Sequence, residues 1–133
     1  MDTCTQSPSG ALLHALGEFN RGEWFECHET LEELWSGTTG EIRDFYQGLL
    51  QIAVALHHWR NGNFNGSIHL LTSGADMLRR VRPACQRIDV AAVTAAADQV
   101  REALLVLQPE RMKELDPSLL PRLRLVPLPD PPP

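Results

Sequence analysis

The chain is short of cysteine, of aromatic residues and of positive charge. Its 133 residues include three cysteines, Cys4, Cys27 and Cys85, an odd number at wide spacing with no CxxC pair. That pattern excludes a dense disulfide framework and the usual paired zinc ligands, and it predicts reduced thiols. Lys and Arg number 12 against 17 Asp and Glu, a formal net charge of −5. This balance argues against a nucleic-acid binder, which would carry a basic stripe. No apolar run is long enough to span a membrane. The opening MDTCTQSPSG has neither the basic start nor the apolar core of a signal peptide, so the expectation is a cytoplasmic protein. A Gly-rich phosphate loop and a GxSxG elbow are both missing, which removes the chemistries those motifs serve. What is left, 43% hydrophobic and 22% charged, is ordinary composition for about one globular domain.

The periodicity that is present is helical throughout. Ser9 can cap a first helix over residues 10–21, striped by Leu12, Leu16 and Phe19. A second helix covers 23–36, with Trp24, Cys27, Leu31, Leu34 and Trp35 inward. Cys27 on that side reads as a small hydrophobe. The third helix, 41–61, is apolar on two sides through Ile42, Phe45, Leu49, Ile52, Leu56 and Trp59, then Leu50 and Val54. That marks it as the central helix of a bundle. A fourth helix over 64–81 stops at Pro83. Arg79, Arg80, Arg82 and Arg87 cluster near its end, where cations suit the helix dipole. Asp89 can cap a fifth helix, 90–107, whose Val90, Val93, Ala97, Val100, Leu104 and Leu107 form a packing seam that Pro109 closes. No strand pattern competes. The fold class is therefore all-α, about five helices packed as antiparallel hairpins. Residues 1–8 read as a flexible lead, 9–108 as one helical domain and 109–133 as a Pro-rich tail. The leucines of that tail should dock up to about Leu128, with the final Asp-Pro-Pro-Pro disordered. There is also a weak internal echo: residues 19–24, FNRGEW, resemble 59–64, WRNGNF, each an aromatic, a Gly turn and a second aromatic.

Polar residues then stand out against this apolar frame. His28, Glu32 and Trp35 share one face of the second helix. On the third helix Gln47, Gln51 and His58 share a face, with Arg43 a turn earlier. If the two faces meet, Glu32 can fix the tautomer of His28 and the glutamine amides supply further donors and acceptors. Such a cluster could set helix register, bind a ligand or hold a divalent metal on His28 and Glu32, with Glu29 as a candidate acid–base group. A metal site for chemistry needs about three protein ligands. The zincin spacing HExxH is not met, since Glu32 stands where the second His should be, and Glu-x-x-His is absent too. The sole tyrosine, Tyr46, reads as a packing residue.

The segment FNRGEWFECHETLEELW followed by RDFYQGLLQIAVALHHWRNGNFNGSIHLL resembles the DUF309 family. The shared pattern is Phe19-Asn20, Gly22 to Trp24, His28 to Trp35, Gln47 to Gln51 and Gly62-Asn63, in order. The resemblance implies an all-α fold of packed hairpins and no established activity, although a label of metal-dependent hydrolase has been attached to such proteins. It places the characteristic polar positions at His28, Glu29, Glu32, Gln47 and Gln51. Three functions follow as expectations. The first is a non-catalytic binding or structural module. The second is a metal-dependent hydrolase using His28 and Glu32. The third is a homo-oligomer joined through the His57–Trp59 end or the Val90–Leu107 seam. No membrane or nucleic-acid partner is expected.

Overall fold

The computed structural model describes residues 3–127. Five helices follow one another: α1 (Gly10–Asn20), α2 (Trp24–Trp35), α3 (Gly40–Arg60), α4 (Phe64–Leu78) and α5 (Val90–Arg111). Each of the first four packs on the next, α3 lies between α2 and α4, and α5 packs on α4. The all-α expectation therefore holds. The central place of α3 follows from its composition: Ile42, Phe45, Leu49, Ile52, Ala53, Ala55 and Leu56 are all buried. Among the described residues no helix is long and apolar enough to cross a membrane.

The echo between residues 19–24 and 59–64 corresponds to two equivalent turns. Gly22 and Gly62 both lie in the left-handed region, at φ +77° and +79°, directly after a helix end. A side chain there would be strained, so glycine ends the helix. Trp24 and Trp59, one aromatic from each copy, then meet edge-to-face at 6.3 Å.

α3 and α4 approach through glycines. A β-carbon at Gly48 would lie 2.6 Å from Leu78, and one at Gly74 would lie 3.1 Å from the Gly48 carbonyl oxygen. These two residues cost helix propensity, and the close crossing is what they allow.

Three sequence expectations need correction. First, strands exist: Ala84–Cys85 (β1) pairs antiparallel with Ile88–Asp89 (β2). The connecting residues Gln86 and Arg87 sit at φ +47° and +64°, the left-handed pair that a two-residue hairpin requires. Neither is Gly or Asn, so the usual signal is missing. Second, Cys4 and Cys85 form a disulfide across a separation of 81 residues, and only Cys27 is free. Third, the N-terminal lead is tied down from residue 3 onward: Cys4 is buried, and the Gln86 N–H donates to the Cys4 carbonyl at 2.7 Å. The fifth helix ends where its Pro109 signal placed it. The helix breaks at Gln108 (φ +64°), and Pro109 opens one further turn.

The Pro-rich tail docks as far as it is described. Two short 3-10 turns (Met112–Glu114 and Pro117–Leu119) lead into it. Leu115 and Leu123 are buried. The Asn20 side chain clasps Leu123 by donating to its carbonyl and accepting from its N–H, both at 2.8 Å. Beyond it, the Asp89 N–H donates to the Arg124 carbonyl and the Val126 N–H to the Arg87 carbonyl. Leu128 and the terminal Asp-Pro-Pro-Pro lie outside the described residues.

Two further placements bear on the expected partners. The seam of α5 is consumed inside the chain, with Val90, Val93, Ala97, Val100 and Leu104 buried, so it is no free oligomer face. The basic cluster also engages its own fold: Arg79 pairs with Asp76 and Asp98, Arg82 with Glu41, and Arg87 donates to the Val126 carbonyl.

Candidate functional site

Of the polar residues singled out above, His28, Glu29 and Glu32 lie on α2. His28 and Glu32 are one turn apart, and their Nε2 and Oε2 atoms lie 3.2 Å apart. Nδ1 is the other ring nitrogen of His28. That Nδ1 is buried and has no hydrogen-bond partner among the described residues. Glu32 is not interior, however, since 59% of its side chain is exposed.

The glutamines do not close a network over this pair. Gln51 turns to α4, where it accepts from Ser73 Oγ at 2.6 Å. The close crossing at Gly48 and Gly74 explains this: a β-carbon added at Gly74 would lie 3.2 Å from that of Gln51. Gln47 is half-buried. His58 belongs to the turn after α3: Asn63 Nδ2 donates to its Nδ1 at 3.3 Å, while Asn63 Oδ1 caps α4 by accepting from the Gly66 N–H. Arg43 lies 4.1 Å over the Trp35 ring and donates to the Thr38 carbonyl, fastening the end of α2 to the start of α3. Of the expected cluster, His28 with Glu32 and Trp35 with Arg43 come together as two separate pairs.

The structure adds residues that the sequence reading passed over. Phe25 precedes His28 by three positions, and nearly half of its surface (48%) is exposed. Its ring lies 5.7 Å from the His28 ring and 5.4 Å from that of His57 on α3. The signal available in the sequence was an aromatic on the charged side of an amphipathic helix. On the same helix Glu26, Glu29, Glu32 and Glu33, with Thr30, Ser36 and Glu18 of α1, line a cleft of about 620 Å³. Glu18 is buried and accepts from Thr30 Oγ1 at 2.7 Å, joining α1 to α2 beneath the cleft floor. Residues 24–35 contain no Lys or Arg.

Two thiol and imidazole groups have displaced titrations. Burial pushes the Cys27 thiol up to about 12, and its Sγ donates to the Ala15 carbonyl at 3.3 Å. A thiol held protonated is a poor nucleophile, so Cys27 packs, as its position on α2 implied. His57 is lowered from 6.5, first by burial, then by Arg60 and His58, with His28 adding and Glu26 opposing. Its Nε2 accepts from Asn61 Nδ2 at 3.0 Å, which suits the neutral ring. A histidine whose pKa is lower in the folded state gains its proton first in the unfolded chain. Its contribution is complete above about pH 6.5 and is lost as pH falls through the lower folded value. Thermal melts between pH 7.5 and 5 should therefore fall less steeply for His57→Gln than for the parent.

His28 and Glu32 could contribute to holding a divalent metal, and the donor set can be tested directly. Among the described residues no group of three His, Cys, Asp or Glu side chains gathers, whereas a catalytic site uses about three protein ligands. Two donors do not fit that requirement, and no chemical step is derived through a metal here. Glu29 is exposed beside the pair and lines the acidic cleft.

The chain is similar to known proteins over part of its length. The chain is 38% identical over 71 residues to the uncharacterized protein YpuF of Bacillus subtilis (strain 168), covering 52% of this chain and 41% of that protein. It is 41% identical over 53 residues to an uncharacterized protein of Aquifex aeolicus (strain VF5), covering 39% of this chain and 16% of that one. The chain thus spans well under half of the length of both relatives. Residues 12–70 match the family model described as a domain of unknown function, DUF309. It is through that segment, which runs from α1 into α4 and carries Phe25, His28, Glu32 and His57, that the chain is similar to the DUF309 family.

Proposed function

We propose that this protein is a non-catalytic binding module whose docking face is the outer side of α2. The observation that supports this reading is Phe25, half in solvent and held between the His28 and His57 rings. Recognition surfaces typically place an aromatic anchor inside a polar rim. On the same helix Glu26, Glu29, Glu32 and Glu33 are exposed and line an acidic cleft. Charge complementarity then selects a partner segment bearing Lys or Arg beside an apolar side chain. Rim charges act mainly on encounter rate and salt dependence, and the anchor on residence time.

The test is fluorescence polarisation with synthetic Lys/Arg-rich peptides that carry one aromatic or leucine, against acidic scrambles of equal length. Binding to the parent should weaken about tenfold or more in Phe25→Ala, as expected for loss of an anchor. It should weaken several-fold in Glu29→Gln/Glu32→Gln and with added salt. All three positions are exposed, so melting should barely change. Equal binding by Phe25→Ala, or no preference for basic peptides, would remove the reading.

A second reading, a metal-dependent hydrolase, has one observation in its favour, the 3.2 Å approach of His28 Nε2 and Glu32 Oε2. Elemental analysis of untagged protein purified without chelator decides it. Near-stoichiometric zinc, manganese or iron that disappears in Glu32→Gln would favour the hydrolase over the docking face.

A further inference from the structure

We propose that the Cys4–Cys85 disulfide is a redox latch that holds the N-terminal strap, residues 3–8, over a cleft beside Leu34, Tyr46 and Gln86. The cleft measures about 460 Å³ and is lined by Gln6, Ser7 and Ser9 from the strap and its end, and by Leu34, Tyr46 and Gln86 from the body. The strap is thus one wall of the cleft.

Few contacts besides the disulfide fix the strap to the body. The Gln86 N–H donates to the Cys4 carbonyl at 2.7 Å, and Gln86 Nε2 donates to the Thr3 carbonyl at 3.4 Å. Both run to one residue, and that residue is itself left-handed, at φ +47° without being glycine. Such a conformation is disfavoured and persists only where its surroundings impose it. Gln86 is held by the Tyr46 hydroxyl, which donates to its Oε1 at 3.1 Å, and by the covalent tether at the preceding residue, Cys85. Breaking the tether removes a main restraint on both the strap and the hairpin turn. The third thiol, Cys27, is buried against Ala15 between α1 and α2. It is not a member of the pair, so the couple is a simple two-state one.

The chemistry is thiol–disulfide exchange with a dithiol reductant. A reductant thiolate attacks the sulfur of Cys4, a residue that is 7% exposed where Cys85 is 0%. An S–S bond forms between the reductant and Cys4, and the Cys85 sulfur leaves as thiolate and takes a proton. The second reductant thiol then displaces Cys4. Two electrons and two protons have passed to the protein, and the reductant has become a disulfide. The freed strap can swing from Ser9, whose side chain still caps α1 through the Leu12 N–H.

The experiment is hydrogen exchange read by mass spectrometry on the full chain, oxidised and after dithiothreitol, with thiols counted in denaturant in parallel. The oxidised protein should show one thiol and the reduced protein three. Reduction should speed exchange at least tenfold at residues 3–8 and at the Gln86 amide, while the α3 amides stay protected. With thiols capped, acetylation of Tyr46, the only tyrosine, should rise. Cys4→Ala should give the open pattern without reductant. Three thiols after mild oxidation, unchanged exchange on reduction, or equal loosening of α3 would each overturn the latch.

Discussion

Replacing Cys4 and Cys85 together by alanine is expected to lower the melting temperature by roughly 10 °C, from a loss of about 2–4 kcal/mol. The size follows from the 81 residues the bond spans. Cross-linking so long a loop removes much of the freedom of the unfolded chain, and the theoretical gain rises slowly with loop length. Scanning calorimetry of the double variant beside the oxidised and reduced parent checks this. The variant and the reduced parent should melt together. If all three melt alike, the bond adds nothing to stability.

Gly48→Val should destabilise by about 3 kcal/mol, at the upper end of the usual range for overpacking a tight interior. Alone, a side chain in mid-helix is favoured over glycine, so the sign is decided by the crossing. Leu78, which would lie 2.6 Å from the new β-carbon, is buried, and the Gly74 carbonyl oxygen would lie 3.3 Å away. The separation of α3 and α4 would have to grow, and Gln51 would lose its hold on Ser73. Gly10→Ala is the control: nothing lies within 4 Å of its β-carbon, and the change should be neutral or slightly stabilising. Urea melts on both variants measure the difference.

The helices were legible because their apolar residues recur at three and four positions. Capping residues such as Ser9 and Asp89 mark starts that the structure reproduces, with side chains accepting from Leu12 and Ala92. Features that depend on distant parts of the chain were not legible. Cys4 and Cys85 carry no local sign of pairing, and an odd cysteine count suggested none. The hairpin at Gln86 and Arg87 is enforced by Tyr46, Cys4 and the tail, so its residues need not prefer the turn. Periodicity put Gln47 and Gln51 on one face of α3 but could not say which neighbour that face meets. The glycines that draw α4 close turned Gln51 away from His28. Spacing did find the His28–Glu32 pair, since four residues on a helix is itself a contact distance. It gave less weight to Phe25, because an aromatic on a charged face falls outside the stripe that defines the core.

The clasp of Asn20 on Leu123 joins positions 103 apart, and the hairpin at residues 87–89 is completed by residues 124–126. During synthesis the first four helices can emerge and pack while the hairpin still lacks its last partner. A ribosome would have to release residue 126 before Arg87 and Asp89 find their backbone partners. Stalling or premature termination shortly before that point would leave a chain with most of its core and an unfinished edge, a form that quality-control proteases could tell from the finished protein.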